Sequence, residues 1–349
     1  MSEYAALEGG SEVFTTGSTR GLRVWSNRTV LVTGCSGFIG GVVSAALIAA
    51  GATVVGLVRN PAKDCYLTLT GLDRHERMLM ITGDLLDQEY VHNAIANHSV
   101  DAVLHLAGEA ILGKDDDADV YVLNTVATGN LLRAIANIRP NAVFVLASTD
   151  MVYGPGSRQP FEEAMLPQPH NSYAQSKYEA EMLVARYVEQ GDIIAGIIRL
   201  SNVYGGGDLN FSRLIPGTIR RVLAGETPML HSDGRSIRDF IHVDDVVRGF
   251  LDFSAALKAG NLNGEVINLA AGRSVRVMDV VTQLLDAAAC SERVLKLGPP
   301  DLCADVQRYT SIENARRQLH WAPQISLKQG LAQTIDWYEN TGFKSTGEI

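Results

Sequence analysis

Tyr173 and Lys177 are the residues of this sequence whose types and spacing most clearly suggest chemistry. They stand four positions apart in the stretch SYAQSKY, so on a helix they would share one face. A free tyrosine titrates near ~10, and a nearby ammonium group favours the phenolate and lowers that pKa. Tyr173 could then take a proton from a substrate hydroxyl at neutral pH. A surface pair on a helix has the same spacing. The motif therefore indicates catalysis only together with the glycine loop and the polar strand end described next.

A second group of polar residues follows the apolar run AVFVL, which is typical of a buried strand. Ser148, Thr149 and Asp150 stand side by side there, and Met151 comes next. In a parallel sheet, ligands bind beyond the carboxyl ends of the strands. We therefore expect these polar groups to face a crevice rather than the core, with Met151 packing beside them.

The stretch TGCSGFIG, residues 33–40, places three glycines three positions apart between a predicted strand and a predicted helix. Gly34 permits a tight turn, Gly37 lets the backbone approach a pyrophosphate, and Gly40 lets helix and strand pack closely. The pattern predicts dinucleotide binding, although a purely structural turn remains the alternative. The other cofactor contacts predicted in this loop are Ser36, Phe38 and Ile39.

Further cofactor contacts are predicted at the ends of the next strands. Arg59 stands where an acidic residue would hold the adenosine ribose of NAD, and an arginine there can pair with the 2′-phosphate of NADP. The cofactor prediction is therefore NAD or NADP, weakly favouring NADP. Asp84 and Leu85 are candidates for the adenine edge, where an ordinary turn is the alternative. Leu106 and Ala107 end a strand over which the cofactor would pass.

These residues must be positioned by a sheet, and the first half of the chain alternates strands with helical stretches. This alternation predicts an α/β fold with a doubly wound parallel sheet. The predicted strands are 29–34, 52–58, 77–84, 102–108, 142–148, 194–201 and 265–270, and the predicted helices of this part are 38–50, 87–97, 118–137 and 172–190.

The pattern changes after residue 201, where glycine-rich loops and helices near 212–224, 276–289 and 326–340 no longer alternate simply with strands. We predict a dinucleotide-binding domain and a smaller α/β C-terminal lobe for the substrate. The predicted boundaries are 1–20 for a flexible tail, 21–201 plus 237–271 for the cofactor domain, and 202–236 plus 272–349 for the substrate lobe.

Composition excludes several classes of function. The net charge of −9 argues against nucleic acid as a partner, because phosphate backbones require clustered Lys and Arg. The four cysteines form no CxxC pair, which predicts no metal site and a reducing, cytoplasmic location. The uncharged stretch 41–58 is divided by Gly51 into a helix and a strand, and the first 20 residues lack the pattern of a signal peptide. No membrane association is expected.

Together, these motifs resemble the extended short-chain dehydrogenase/reductase family, in particular its nucleotide-sugar epimerases and dehydratases. The motifs that carry the resemblance are TGCSGFIG, HLAG, ASTDMVYG, SYAQSK, RLSNVYGGGD and RSIRDFIHVDD, and SNVYGGGDLNFSRLIPGTIRRVL is most similar to CDP-glucose 4,6-dehydratase-like proteins. The resemblance implies a Rossmann fold, a nicotinamide cofactor, a nucleotide-diphosphate sugar as substrate and a homodimer.

The resemblance also implies roles for individual residues. Tyr173 would be the base at the sugar 4-hydroxyl, and Lys177 would tune it and hold the nicotinamide ribose. Thr149 would hydrogen-bond the 4-oxygen, and Ser148 would line the nicotinamide pocket.

Three residues of the second half would grip the diphosphate and nucleotide: Asn202, Arg238 and Arg308. Arg238 has the strongest physical case, because a guanidinium binds phosphate oxygens bidentately. An ion pair with Asp239 or Asp244 is its structural alternative.

Asp150 and Met151 separate the possible reactions. A 4,6-dehydratase oxidises C4, removes the C5 proton, expels the 6-hydroxyl as water and returns the hydride to C6. Asp150 stands where the resemblance places the acid, but Met151 cannot act as the usual base. A 4-epimerase needs no such base. We therefore expect a 4,6-dehydratase first and a 4-epimerase as the alternative, with a 4-keto-sugar reductase less favoured.

Overall fold

The computed structural model describes residues 23–108, 117–155, 158–293, 295–299 and 308–341. The predicted N-terminal tail lies outside these residues, as does the segment 300–307.

Seven of the strands form one parallel sheet, in the order β10-β6-β5-β4-β1-β2-β3. These seven are the strands predicted from the sequence, and the predicted doubly wound α/β class is confirmed. Runs of β-branched and other apolar residues form them because both faces of such a sheet are covered. The strands are β1 (Thr29–Thr33), β2 (Thr53–Val58), β3 (Met78–Thr82), β4 (Ala102–His105), β5 (Val143–Thr149), β6 (Ile194–Leu200), β7 (Asn202–Tyr204), β8 (Ile237–Arg238), β9 (Phe240–His242), β10 (Val266–Leu269) and β11 (Val275–Arg276).

The strand order reverses between β1 and β4. From β1 the chain builds outward to β2 and β3, and then crosses to the other side to add β4, β5 and β6. The loops after β1 and β4 therefore leave the sheet in opposite directions and open a crevice at its carboxyl edge, which is where doubly wound sheets bind ligands.

Side-chain caps fix the starts of several helices. Asp87, Asn171 and Ser326 each accept a hydrogen bond from a backbone N–H of the following first turn. In the described ranges, no helix is both long enough and apolar enough to cross a membrane. The helices are α1 (Phe38–Ala49), α2 (Tyr66–Leu69), α3 (Gln88–Asn97), α4 (Asp117–Ile138), α5 (Ser172–Glu189), α6 (Leu214–Leu223), α7 (Val243–Lys258), α8 (Val277–Ala287), α9 (Glu313–Leu319) and α10 (Leu327–Asn340). The sequence analysis did not assign α2, α7 or α9.

The core has one apolar layer on each face of the sheet. One layer packs α1 and α7 against the sheet, through residues such as Leu47 and Phe250. The other packs α3, α4 and α5 on the opposite face, through residues such as Ile95 and Leu131. A separate apolar cluster joins α6, α8 and α10 around Leu284.

Two small strand pairs connect the sheet to the second half of the chain. β7 pairs in parallel with β9, and β8 pairs antiparallel with β11. These pairs bring Asn202 and Arg238 to the mouth of the crevice, because both residues belong to the paired strands.

Candidate active site

A cavity of about 960 Å³ lies beyond the carboxyl ends of β1, β5 and β6. Its volume is at the upper end of the range for small-molecule sites. The predicted residues that line it are Ile39, Arg59, Ser148, Thr149, Tyr173, Asn202 and Arg238, and Met151 and Arg213 line it as well.

The glycine loop wraps tightly around the end of β1. Gly34 has φ +72°, and a Cβ there would lie 2.7 Å from the Ala107 backbone nitrogen. A Cβ on Gly40 would lie 2.2 Å from the Gly34 carbonyl oxygen. Gly37 is the residue before α1, so the helix begins directly after the loop. This close packing exposes the N-terminus of α1 toward the crevice, where backbone N–H groups can meet an anion.

The residues predicted around the adenosine end divide into two groups. Arg59 is exposed and lines the cavity. Asp84 accepts a hydrogen bond from the Leu86 backbone N–H at 2.9 Å, as in an ordinary turn. Leu85 is 6% exposed and belongs to the apolar layer of α3 to α5. The structure thus places Arg59 at the cavity and gives Asp84 and Leu85 local structural contacts.

The end of β4 lies directly beside the glycine loop. The Ala107 backbone N–H donates to Thr33 Oγ1 at 3.1 Å, and Leu106 packs partly buried against the core. Gly108 also lines the cavity, and a Cβ there would lie 3.3 Å from Lys177 Nζ and 2.9 Å from Asn124 Oδ1. The small residue at 108 therefore makes room for the lysine ammonium at the cavity wall.

Ser148 and Thr149 are the last residues of β5 and are nearly buried. Thr149 caps a 3₁₀ turn at Asp150–Tyr153 by accepting a hydrogen bond from the Met151 backbone N–H. The turn sends Asp150 and Met151 in different directions. Met151 is half-buried and lines the cavity, whereas Asp150 is 7% exposed and lies behind it, beside charged groups of the second half.

Burial raises the pKa of the Asp150 carboxyl to about 7, and Asp239 adds to that rise. Arg308 and Arg238 act in the opposite direction, because their cationic charges favour the carboxylate. A carboxylic acid with this pKa is partly protonated at neutral pH, so Asp150 can donate a proton as well as accept one.

Tyr173 stands on the first turn of α5 and lines the cavity. Burial and the nearby Asp150 carboxyl raise its pKa to about 12, while a hydrogen bond with Thr149 and the Arg213 guanidinium act to lower it. The net direction is opposite to the lowering expected from the sequence. Burial outweighs the stabilising groups that the protein itself supplies.

Lys177 lies one turn further along α5 and is 5% exposed. Burial lowers its pKa to about 8, and the Glu181 carboxylate limits that fall. At neutral pH most of these side chains therefore carry a positive charge. Lys177 is brought close to Asn124, whose amide donates to Ser176 Oγ at 2.9 Å.

The predicted diphosphate residues come together from three segments. Asn202 lines the cavity and donates to the Asp239 carbonyl at 3.0 Å. Arg238 lines the cavity, and its guanidinium donates to the Ile237 carbonyl at 2.8 Å. Arg308 lies near enough to Asp150 to influence its titration, and its buried Nε has no hydrogen-bond partner within the described residues.

The buried Asp239 carboxylate accepts hydrogen bonds from the backbone N–H groups of Ala271 and Gly272 at 2.8 and 3.1 Å. Asp239 therefore holds the loop after β10.

Sequence reasoning missed three charged residues of the site. Arg213 pairs with the buried Asp208 at 3.0 Å, and no sequence signal distinguished it from Arg220 and Arg221. Glu181 and Arg199 form a buried ion pair at 2.6 Å. Two signals could have revealed that pair: an arginine inside the apolar strand IAGIIRLS, and a glutamate four residues after Lys177.

Comparison with known proteins places this arrangement in context. The model of the NAD dependent epimerase/dehydratase family matches residues 30–270. The chain is 30% identical to UDP-glucuronate 4-epimerase from Thermodesulfobacterium geofontis, over 88% of the chain and 95% of that protein. It is 28% identical to dTDP-4-dehydro-6-deoxy-D-allose reductase from Streptomyces bikiniensis, over 90% and 98%.

The fold is also similar to that of solved structures. The crystal structure of a dTDP-glucose 4,6-dehydratase from Streptomyces venezuelae, with NAD and TYD bound, matches with a TM-score of 0.80. The identity is 27%, and the match covers 91% of this chain and 99% of that chain.

Proposed function

This chain belongs to the NAD dependent epimerase/dehydratase family, and we propose that it is an NAD(P)-dependent 4,6-dehydratase of a nucleotide-diphosphate sugar. The one observation that carries the proposal is the Asp150 carboxyl beside Tyr173, with a pKa raised by burial to about 7. Elimination of the 6-hydroxyl as water needs a proton donor at neutral pH, and an ordinary aspartate would be almost fully ionised there.

The residues present suit a nicotinamide dinucleotide. The glycine cradle of Gly34 and Gly40 has no room for a Cβ, and the N-terminus of α1 opens onto it. Arg59 at the adenosine end supports our preference for NADP over NAD, since a guanidinium pairs bidentately with a phosphate. When bound, the cofactor accepts a hydride from the substrate and later returns it.

Tyr173 is our candidate for the base at the sugar 4-hydroxyl. Thr149 hydrogen-bonds the phenol. The positive charge of the Arg213 guanidinium favours the phenolate and acts to lower the pKa of Tyr173. The groups of the protein alone raise the pKa of Tyr173 to about 12. The phenolate would therefore require further stabilisation, which we assign to the Lys177 ammonium one turn away and to the positive charge of the oxidised cofactor when it is bound. Lys177 at the cavity wall would also hold the nicotinamide ribose.

Asp150 would act after the C4 ketone has acidified the C5 hydrogen. The C5 proton would pass to solvent water, because Met151 cannot accept it, and the protonated Asp150 carboxyl would donate its proton to the departing 6-hydroxyl. The C6–O bond would then break, water would leave, and solvent would return a proton to the Asp150 carboxylate. Arg238 and Asn202, which line the cavity, would meanwhile hold the diphosphate. Arg308, whose positive charge acts on Asp150, would assist them.

A 4-epimerase is the second candidate, and Met151 favours it. This side chain lines the cavity beside Thr149 but has no group that could take the C5 proton. In an epimerase the C4 ketone turns over and receives the hydride on its other face. Tyr173, Thr149 and Lys177 are sufficient for that reaction.

We further propose a homodimer that forms through α4 and α5. Val122 and Val126 on α4 are 41% and 44% exposed, and Met182 on α5 is 53% exposed. Exposed apolar side chains on two adjacent helices fit a surface that a second copy covers. Sedimentation of the full chain tests this, with a dimer mass as the expected result and a monomer at micromolar concentration as the contrary one.

The reaction itself is tested by incubating the protein with NAD or NADP and a panel of nucleotide sugars. The masses of the products are then measured. Loss of one water from a sugar supports the dehydratase, whereas an unchanged mass with a new retention time supports the epimerase. Consumption of stoichiometric NADPH with a 4-keto sugar would instead identify a reductase.

A further inference from the structure

We propose that the buried imidazole of His105 is a positioning residue that ties the glycine loop to the helix of Tyr173. In its neutral form, protonated at Nε2, it joins the end of β1 to α4 through hydrogen bonds at both ring nitrogens. This role rests on the proposed function only in taking the glycine loop as the cofactor site and Tyr173 as the base.

His105 is the last residue of β4 and is 1% exposed. Its Nδ1 lies 2.7 Å from Thr33 Oγ1 at the end of β1, and its Nε2 lies 3.0 Å from Thr128 Oγ1 on α4. Both threonines are fully buried. Because each ring nitrogen has a hydroxyl partner, the imidazole bridges the sheet and the helix that packs on it.

The protons of this chain of hydrogen bonds follow from the groups at its ends. The Thr128 hydroxyl lies 2.7 Å from the Asn124 carbonyl oxygen, which can only accept, so Thr128 donates there. Thr128 Oγ1 then accepts from His105 Nε2–H, and Nδ1 accepts the proton of the Thr33 hydroxyl. Burial lowers the pKa of His105 to about 3, and Lys177 adds to that fall, so the ring is neutral at pH 7. The neutral Nε2–H tautomer thus satisfies both threonines.

On the side of the glycine loop, Thr33 fixes the chain just after β4. Its Oγ1 accepts a hydrogen bond from the Ala107 backbone N–H at 3.1 Å. That nitrogen would lie only 2.7 Å from a Cβ on Gly34, so Ala107 packs directly on the turn of the loop. Since the Thr33 hydroxyl proton points to His105, the oxygen lone pairs can hold Ala107 in this position.

On the side of the base, Asn124 continues the chain to α5. Its amide donates to Ser176 Oγ at 2.9 Å, and the Ser176 hydroxyl donates to the Tyr173 carbonyl oxygen at 2.8 Å. Asn124 and Ser176 are both buried, so these bonds are shielded from solvent. Asn124 Oδ1 also lies 2.9 Å from the position of a Cβ on Gly108, the residue after Ala107. The two ends of the chain therefore return to the same wall of the cavity.

The chain from Thr33 to Ser176 joins β1, β4, α4 and α5, the elements that carry the glycine loop and the base. Removal of a hydride from a sugar carbon and of a proton from its hydroxyl requires the cofactor and the Tyr173 phenol at a fixed separation. A misplacement of about 1 Å can cost ~10²-fold in rate. A chain of neutral, buried hydrogen bonds fixes this separation without adding a charge beside the cofactor.

Nitrogen NMR of the imidazole tests the proton assignment. Full-length protein labelled with ¹⁵N at histidine is measured without added sugar, and the His105 signals are assigned from their loss in His105→Asn. We expect the ring proton on Nε2 and an unprotonated Nδ1, unchanged from about pH 5 to pH 8. A proton on Nδ1 instead, or titration of His105 within this range, overturns the proposal. The spectrum is independent of whether the proposed reaction is correct.

Thr128→Val removes the acceptor of the Nε2 proton and keeps nearly the same shape. The ring proton should then move to Nδ1, where Thr33 Oγ1 can accept it. The Thr33 hydroxyl would lose its own acceptor and hold Ala107 less firmly. We therefore expect the affinity for NAD or NADP, measured by calorimetry, to fall roughly three- to tenfold, as for one buried hydrogen bond. Thr128→Ser keeps the hydroxyl and should restore both the tautomer and the affinity.

Thr334→Val is the matched control. Thr334 is 1% exposed, and its hydroxyl donates to the Gly330 carbonyl four residues earlier on α10, as Thr128 does on α4. This variant should lose similar stability in urea but keep the His105 tautomer and the cofactor affinity. Unchanged affinity in Thr128→Val, or equal losses in both valine variants, overturns the proposal and reduces His105 to a structural contact. If Thr128→Val does not fold, the tautomer of the unaltered protein still decides the outcome.

Discussion

Tyr173 stands between two charged neighbourhoods that are built in different ways. On one side, Lys177 is followed by the Glu181–Arg199 pair, whose members belong to α5 and β6 and are both 4% exposed. On the other side, Asp150 faces Arg238 and Arg308, which arrive from separate segments of the second half of the chain. The first neighbourhood is enclosed in regular structure, and the second assembles across the cavity mouth.

The two neighbourhoods have different effects on the charges of Lys177 and Asp150. Burial lowers the pKa of Lys177 to about 8 against the opposing effect of the Glu181 carboxylate, so this lysine is mostly cationic at pH 7. Burial raises the pKa of Asp150 to about 7, so this carboxyl is partly protonated at the same pH. A cation beside the phenol suits proton removal from a hydroxyl, whereas a partly protonated acid suits expulsion of a hydroxyl. Each prediction below perturbs one neighbourhood and leaves the other intact.

Tyr173→Phe should have the largest effect, since Tyr173 is the group that both neighbourhoods serve. We expect at least a 1,000-fold loss of turnover, within the ~10²–10⁴-fold range of general acid–base catalysis. NAD binding measured by calorimetry should stay within a few-fold of the original, because the phenyl ring remains. Tyr187→Phe, on the same helix but packed in the core, is the control. Near-normal turnover of Tyr173→Phe would remove the proposed base.

Asp150→Asn alters the neighbourhood around Asp150 and leaves the one around Lys177 unchanged. The amide has nearly the same shape but cannot donate a proton in the way a carboxylic acid does, so a dehydratase should lose about 100-fold or more in water elimination. Oxidation at C4, measured by transient absorbance of the reduced cofactor, should persist. If the enzyme is an epimerase, the same variant should retain activity within a few-fold, and the Asp150 neighbourhood would then only bind substrate.

The pH dependence of elimination should follow Asp150. Its protonated form is the donor, so activity should be full below pH 7 and fall about tenfold per unit above it, given the pKa of about 7. Asp150→Asn should lack this fall over the same range. A wild-type rate that stays constant from pH 6 to pH 9 would contradict the acid role.

The contrast between the neighbourhoods also explains which parts of the fold and of the candidate site could be predicted from the sequence. The glycine loop and the Tyr173–Lys177 pair are local patterns on regular elements, and all seven strands of the main sheet were predicted from such patterns. The direction in which Asp150 and Met151 point depends on a short 3₁₀ turn, which no periodicity marks. Arg213 is held beside the cavity by its ion pair with the buried Asp208, which stands five residues earlier in the chain. Such contacts depend on tertiary packing and are invisible in one sequence.

Arg59→Ala should have the smallest effect, because Arg59 is exposed and lies at the far end of the cavity from both neighbourhoods. An exposed guanidinium is screened by solvent, so we expect NADP affinity to fall by only about three- to tenfold. NAD lacks the 2′-phosphate, and its affinity should change by less than about twofold. Arg74→Ala is the control, since Arg74 is also a highly exposed arginine of the same half. Equal losses for both cofactors would remove the preference for NADP. They would instead support stacking of Arg59 on the adenine, because both cofactors share that ring and would lose the contact equally.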